Sequence, residues 1–396
     1  MLGLALEGGG ARGAYHIGVV KAYLEHGYEF DGFVGTSIGA INAAMLAQGD
    51  FKKAHDLWMN ISMTQIFDVD EQYLLPFMNP GELKLDQKLP STLRKALSKI
   101  IEGRGVNTAK IKTILESYID EEKVRNADKD FGLVTVSINE LKPYELMLED
   151  IPKGNLVDYI MASASFPGFQ QETIKEKQFL DGGFYNNCPI NLLTERGYQK
   201  VIAVRTNAPG IVRKVDDLAD VTEITPRENL GSMMLFTQQN SEANITLGYY
   251  DGLRTIRKLR GEAYYINLAK PNDFYAQLFS LSDSEILEVG KILNAPAIPA
   301  KRMLFEHIVP QLGAHMKLKK DFDYADFVIA LLERAATKRG IERFRVYDYG
   351  KFFSGIKNTV APEEEKDILE NVPYSNLWRG RKVAASLLTG HILKDS

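Results

Sequence analysis

"GFVGTSIGAINAAM", residues 32–45, decides the reading of this chain. An apolar run ends in glycine, one hydroxyl stands between two glycines, and an alanine-rich run follows. The first part reads as a strand, "FDGFVGTS", and the second as a helix, "IGAINAAMLAQGD", stopped by Gly49. The pentapeptide Gly35-Thr36-Ser37-Ile38-Gly39 is thus a G-x-S-x-G turn between a strand and a helix, the setting of a nucleophile held in strained backbone. Side chains two residues to either side of that serine would collide with the neighbouring elements, which is the need for Gly35 and Gly39. Ser37 then sits at the N-terminal end of a helix, where free N–H groups and the dipole favour negative charge. Taken alone, the pentapeptide also fits a glycine-flanked N-cap serine.

Upstream, "LGLALEG" reads as a short buried strand and "ARGAYHIGVVKAYLEHG" as a helix closed by Gly27. Between them lies Gly8-Gly9-Gly10-Ala11-Arg12-Gly13. In a doubly wound sheet this loop falls beside the serine turn. Glycine-rich backbone there can turn several N–H groups toward one point, as a tetrahedral oxyanion requires. The same six residues spell G-x-G-x-x-G, a dinucleotide fingerprint. That alternative expects an acidic residue at the far end of the second strand, where this chain has Thr36 and Ser37, with Asp31 ahead of the strand. Arg12 puts positive charge at the positive end of a helix, which suits an anion, a carboxylate or a structural partner.

Downstream, residues 51 to about 130 lose the strand–helix rhythm. They hold "QYLLPFMNPGELKL", in which Tyr73 to Met78 read as a lid, an interfacial patch or ordinary packing, and helical pieces at 91–101 and 108–119. "FGLVTVSIN" and "PYELMLED" then resemble a paired strand unit. "NLVDYIMASASF" reads as a helix, "KQFLDGG" as a strand end and "KVIAVRTN" as a buried strand. A long helix runs through "SEANITLGYYDGLRTIRKL", followed by the strand "AYYINLA". Beyond residue 270 the pattern is mainly helical, so a boundary is expected at "AKPND", residues 269–273. The fold class is α/β, a parallel-rich central sheet with helices on both faces, followed by a mainly helical C-terminal extension.

A catalytic serine needs a base. His16 lies inside the first helix, His26 at its end and His55 in a charged helical stretch. His307, His315 and His391 fall in the C-terminal region, and none has a site loop around it. "FLDGGFYNNCP", residues 179–189, offers Asp181 at the end of an apolar stretch before Gly182 and Gly183. Such a turn can bring a carboxylate to the serine. An aspartate with an ordinary pKa of about 3.9 is a weak base, so the site must raise it or hold the geometry closely. Cys188 has no partner histidine nearby and reads as a small buried side chain.

The 396 residues carry a net charge of −4, removing the electrostatic case for a nucleic-acid partner. A single cysteine excludes an internal disulfide framework and suits a reducing compartment. The N-terminus lacks a basic region and its apolar stretch is cut by Glu7, against a secretory signal. No stretch reaches the roughly 18–20 apolar residues of a spanning helix. A cytoplasmic protein that can touch a membrane from the side is expected.

Together these residues resemble the patatin-like phospholipase family. "GGGARG" at 8–13 looks like its oxyanion loop, "GTSIG" at 35–39 its nucleophile turn and "DGG" at 181–183 its base motif. "ASASFP", with Ala162, Ser163 and Pro167, is similar to its A-S-x-x-x-P block. The resemblance covers residues 2–205 closely, continues loosely to about 268, and maps nothing onto 269–396. It implies a serine–aspartate dyad with Ser37 as nucleophile and Asp181 as proton acceptor, an acyl-enzyme, and no metal or cofactor. It further implies that the loop Gly8 to Gly13 binds the oxyanion through the N–H groups of Gly9, Gly10 and Ala11, with Ile38. The implied substrate is a lipid or other acyl ester. An acyl transfer through the same intermediate stays open beside hydrolysis.

Overall fold

Strand β1, Leu2–Leu6, is buried from its second residue onward and becomes the middle of the sheet. A computed structural model describes residues 1–66, 108–165, 172–215, 219–268, 273–360 and 377–394 of the chain. The Tyr73–Met78 stretch, the helical piece at 91–101 and Pro167 lie outside the described residues. The chain divides into two compact units, Met1–Ile256 and Arg257–Ser396.

In the first unit β1 pairs in parallel with β2, Gly32–Thr36, on one side and with β7, Lys200–Val204, on the other. β3, Asp130–Ser137, continues in parallel beyond β2, and β8, Asp220–Ile224, beyond β7. β4, Lys142–Met147, and β6, Lys177–Asp181, run antiparallel to β3, and the short β5, Thr173–Ile174, edges β6. The sheet is mixed and parallel in the middle, as the near-continuous apolar strands require. Helix α1, Ala14–Glu25, follows a tight turn over Gly10–Gly13, so the first helix begins later than its sequence pattern suggests. Helix α2, Ile38–Ala47, packs against β1, β2 and β3, and every one of its residues is buried. The segment 188–198, with Leu193 and Tyr198, packs with Ala5, Val34, Val134, Val201 and Ala203. Helix α3, Phe51–Asn60, and the helix Ala109–Tyr118 follow further along the unit.

The second unit is mainly helical. Its helices include Asp283–Ile292, Tyr324–Lys338, Tyr349–Asn358 and Leu377–Lys394. They enclose a core containing Leu304, Phe327, Leu331, Phe352 and Leu388. The strand read in "AYYINLA" is β9, Tyr265–Asn267, and it pairs with β10, Val346–Asp348, about 80 positions later. That pairing draws residues 257–268 into the second unit, so the division falls ahead of the 269–273 stretch. Sequence periodicity detects a strand but not its distant partner.

Candidate active site

The edge of β3 builds the site. β2 runs along it and ends with Thr36 opposite Val134. β6 arrives from the other direction and ends with Asp181 opposite Thr135, the next position on the same edge. Two strand ends therefore meet head to head, and the residues at their tips, Ser37 and Asp181, are brought together. The Ser37 hydroxyl donates to the Asp181 carboxylate. Thr135 Oγ1 lies 3.0 Å from both the Leu180 and Ala162 carbonyls, and Thr36 Oγ1 donates to the Asn186 carbonyl at 2.7 Å. Both hydroxyls tether the β6 side of the site.

The strain expected of the serine turn is present: Ser37 has φ 57° and ψ −127°. A non-glycine residue in that region is uncommon, and it holds only where the surroundings enforce it. The flanking glycines show how. A Cβ on Gly35 would lie 2.2 Å from the Gly39 backbone carbon, and one on Gly39 would lie 2.2 Å from the Leu6 carbonyl oxygen. Helix α2 is thereby seated directly on the ends of β2 and β1. The Ser37 N–H donates to Ser163 Oγ at 2.9 Å, and Ser163 Oγ donates onward to the Val134 carbonyl at 2.7 Å. Ser163, from the "ASASFP" block, thus locks the turn to β3.

Asp181 is 4% exposed. Burial pushes its carboxyl up to about 6, while the bonds from the Ser37 hydroxyl and the Gly183 N–H pull it down. The Gly183 N–H donates to Oδ1 at 2.8 Å and fixes the rotamer. Gly182 is required by close approach, since a Cβ there would sit 2.1 Å from the Val134 carbonyl. No histidine lines the cavity among the described residues. His16 is buried at the Asn42 amide, and burial lowers its pKa to about 3, so it is neutral. Cys188 is buried and its thiol is pushed up by burial.

The glycine loop divides its N–H groups between structure and site. Gly8 N–H donates to the Asn187 carbonyl at 3.0 Å and Ala11 N–H to the Met233 carbonyl at 2.8 Å. Ala11 therefore has no N–H left for an oxyanion, contrary to the expectation. Arg12 is a clamp rather than an anion ligand. Its Nε donates to the Gly231 carbonyl and its Nη1 to the Asn207 carbonyl, each at 2.9 Å. Gly13 packs against Ile38 and Trp58, which a Cβ would meet at 2.6 and 2.9 Å. Gly9, Gly10 and Ile38 line the cavity beside Ser37. Below the loop, Glu7 is 1% exposed and accepts from Arg205 Nη2 at 2.9 Å, Thr206 N–H at 2.5 Å and Asn207 N–H at 3.0 Å. This pair joins the ends of β1 and β7 under the loop.

Ser37 and Asp181 line a cavity of about 400 Å³. Part of its lining is apolar and buried, with Ile41, Leu57, Trp58, Ile61, Leu115 and Phe236. The lining also includes Gly183, Phe184, Asn187, Ala208, Pro209 and Gly210, of which Phe184, Pro209 and Gly210 are exposed. The supporting roles of Arg12, Ser163, Asn187, Thr206 and Met233 are not readable locally, because each depends on a partner far along the chain. Among the described residues no group of side chains fits a metal ion, and no helix is long and apolar enough to cross a membrane.

Several known proteins are similar to this chain. The neuropathy target esterase sws of Drosophila melanogaster is 26% identical over 309 residues, covering 74% of this chain and 19% of that protein. The lysophospholipase NTE1 of Saccharomyces cerevisiae is 24% identical over 305 residues, covering 73% and 16%. The chain thus spans less than a fifth of the length of these relatives. Among solved structures, VipD from Legionella pneumophila aligns with 99% of this chain and 85% of its own at 15% identity and TM-score 0.40. The family model described as Patatin-like phospholipase matches residues 4–194, a range that contains the serine turn, the glycine loop and Asp181, and this part of the chain is a patatin-like phospholipase domain.

Proposed function

We propose that the chain is a serine–aspartate acyl hydrolase that cleaves fatty-acyl esters of phospholipids, lysophospholipids or related lipids. Ser37 Oγ attacks the ester carbonyl carbon while its proton passes to Asp181, and the N–H groups of Gly9, Gly10 and Ile38 hold the oxyanion. One such donor is typically worth about 3–4 kcal/mol of barrier. Collapse of the tetrahedral species breaks the ester bond, and Asp181 returns the proton to the leaving alcohol. Water then attacks the acyl-Ser37 ester with Asp181 as base, releasing the fatty acid. The apolar part of the lining takes the acyl chain, and the exposed part leaves the alcohol at the surface, where it can remain in a membrane. Neither step calls on a metal or cofactor.

The observation that carries this reading is a hydroxyl on strained backbone, bonded to a buried carboxylate of raised pKa at the wall of an apolar cavity. Ser37→Ala should remove at least about 10³-fold of the turnover of a chromogenic acyl ester, and Asp181→Asn nearly as much. Unchanged rates in the serine variant would refute the assignment. A histidine variant more damaged than Asp181→Asn would refute the dyad.

A further inference from the structure

The two adjacent asparagines of "FYNNCP" have opposite environments. Asn186 is wholly buried and fully engaged: its Nδ2 donates to Asn191 Oδ1 at 2.7 Å and Glu145 Oε1 at 3.2 Å, and its Oδ1 accepts from Arg213 N–H at 3.4 Å. Asn187 is also buried, at 3% exposure, yet its side chain makes no hydrogen bond to any described residue. Its nitrogen is sealed against Gly210, where a Cβ would come within 2.9 Å of Nδ2. For packing alone, an apolar side chain of the same shape would serve better, since a buried amide without partners is costly.

The carboxamide nevertheless lines the cavity, and its oxygen lies on the dyad side. A Cβ on Gly183 would be 2.8 Å from Asn187 Oδ1 and 3.1 Å from Asp181 Oδ1. A Cβ on Gly8 would be 2.3 Å from the same oxygen and 3.3 Å from Ser37 Cβ. Bare backbone on both sides keeps this oxygen beside the two reacting side chains. It lines the cavity together with Phe184, Pro209 and Gly210, which are exposed, and the proposed function puts the alcohol part of the ester there. With the nitrogen sealed, the polar atom left for an occupant is an acceptor. It can recognise a group that donates, and an ester or ether oxygen cannot.

We propose that Asn187 is a specificity-determining residue whose side-chain oxygen accepts a hydrogen bond from a free hydroxyl on the alcohol part of the substrate, next to the scissile ester. This rests on the acyl-hydrolase reading above. It predicts preference for monoacyl glycerol-type esters over those whose neighbouring hydroxyl is missing or acylated.

The test is a substrate-by-variant cycle with 1-palmitoyl lysophosphatidylcholine and its 2-deoxy analogue, measuring kcat/KM. Wild type should favour the hydroxyl-bearing substrate by about 10- to 100-fold, as sites built around a buried polar contact do. In Asn187→Leu the two substrates should fall within about threefold of each other, the loss lying on the hydroxyl-bearing one. Asn187→Asp, which keeps the acceptor and the shape, should retain the preference, and a ratio of two substrates cancels any common effect of the added charge on Asp181. Wild type indifferent to the hydroxyl overturns the proposal while leaving the hydrolase reading intact. An equal loss on both substrates in the leucine variant also overturns it. A wild type that cleaves neither substrate nor a chromogenic ester overturns both.

Discussion

At the scale of the residue, the chemistry comes down to one carboxylate out of water. In the proposed mechanism Asp181 must be ionised to accept the Ser37 proton, so kcat/KM for an acyl ester should climb with pH through about 6 and level off above it. A profile flat from pH 5 to 8 would contradict this assignment. The same shift bears on stability. A carboxyl whose folded pKa lies above its ordinary value binds its proton more tightly when folded, so its contribution is most favourable at low pH and is lost as pH rises through about 6. The gap between 3.8 and about 6 corresponds to about 3 kcal/mol, at about 1.36 kcal/mol per pH unit. Asp181→Asn should therefore raise the urea-unfolding free energy by up to about 3 kcal/mol at pH 8, with the gain fading by pH 4. An inactive variant no more stable than wild type at pH 8 would show that the carboxylate is not strained by burial.

At the scale of the element, the site depends on how closely backbone meets backbone. The N-terminus of α2 rests on the end of β1, and the glycine loop begins where β1 ends. A Cβ at residue 39 would press on the Leu6 and Glu7 carbonyls at 2.2 and 3.0 Å, immediately before Gly8. Backbone cannot swing aside as a side chain can. Gly39→Ala should cost about 1–3 kcal/mol in unfolding free energy. It should also lower kcat/KM by about 10²-fold, because Gly9 and Gly10 would shift relative to Ser37. A variant destabilised but fully active would separate the seating of α2 from the geometry of the loop. Most of this level was legible beforehand, since the glycine spacing in "GTSIG" and "DGG" states a local backbone need. The division of N–H groups in "GGGARG" was not. Ala11 looks equivalent to Gly10 in sequence, and only the Met233 carbonyl, over 200 positions away, takes its hydrogen.

At the scale of the whole molecule, the cavity is assembled from parts that share no sequence neighbourhood. α3 supplies Leu57 and Trp58, the helix Ala109–Tyr118 supplies Ile111, Ile114 and Leu115, and the stretch before the long helix supplies Met233 and Phe236. Trp58 is held there by its Nε1 bond to Asn42 Oδ1 at 2.9 Å, which also ties α3 to α2. If this part of the cavity takes the acyl chain, filling it must discriminate by length. Ile61→Trp should lower kcat/KM for a sixteen-carbon nitrophenyl ester by at least about tenfold more than for a four-carbon one. Equal effects on both esters would place the acyl chain elsewhere.

By itself the sequence determined the chemistry-bearing points: a hydroxyl on a glycine-flanked turn, a glycine loop after the first strand and a carboxylate before two glycines. These are legible because backbone conformation and close approach are set by residues a few positions apart. Tertiary structure alone decided that β2 and β6 end head to head on one edge of β3, which N–H groups remain for the site, and that the Asn187 side chain, unlike that of Asn186, has no hydrogen-bond partner among the described residues. Strand pairing, hydrogen-bond partners and cavity walls are relations between distant segments. Their free energy exists only once the chain has brought those segments together.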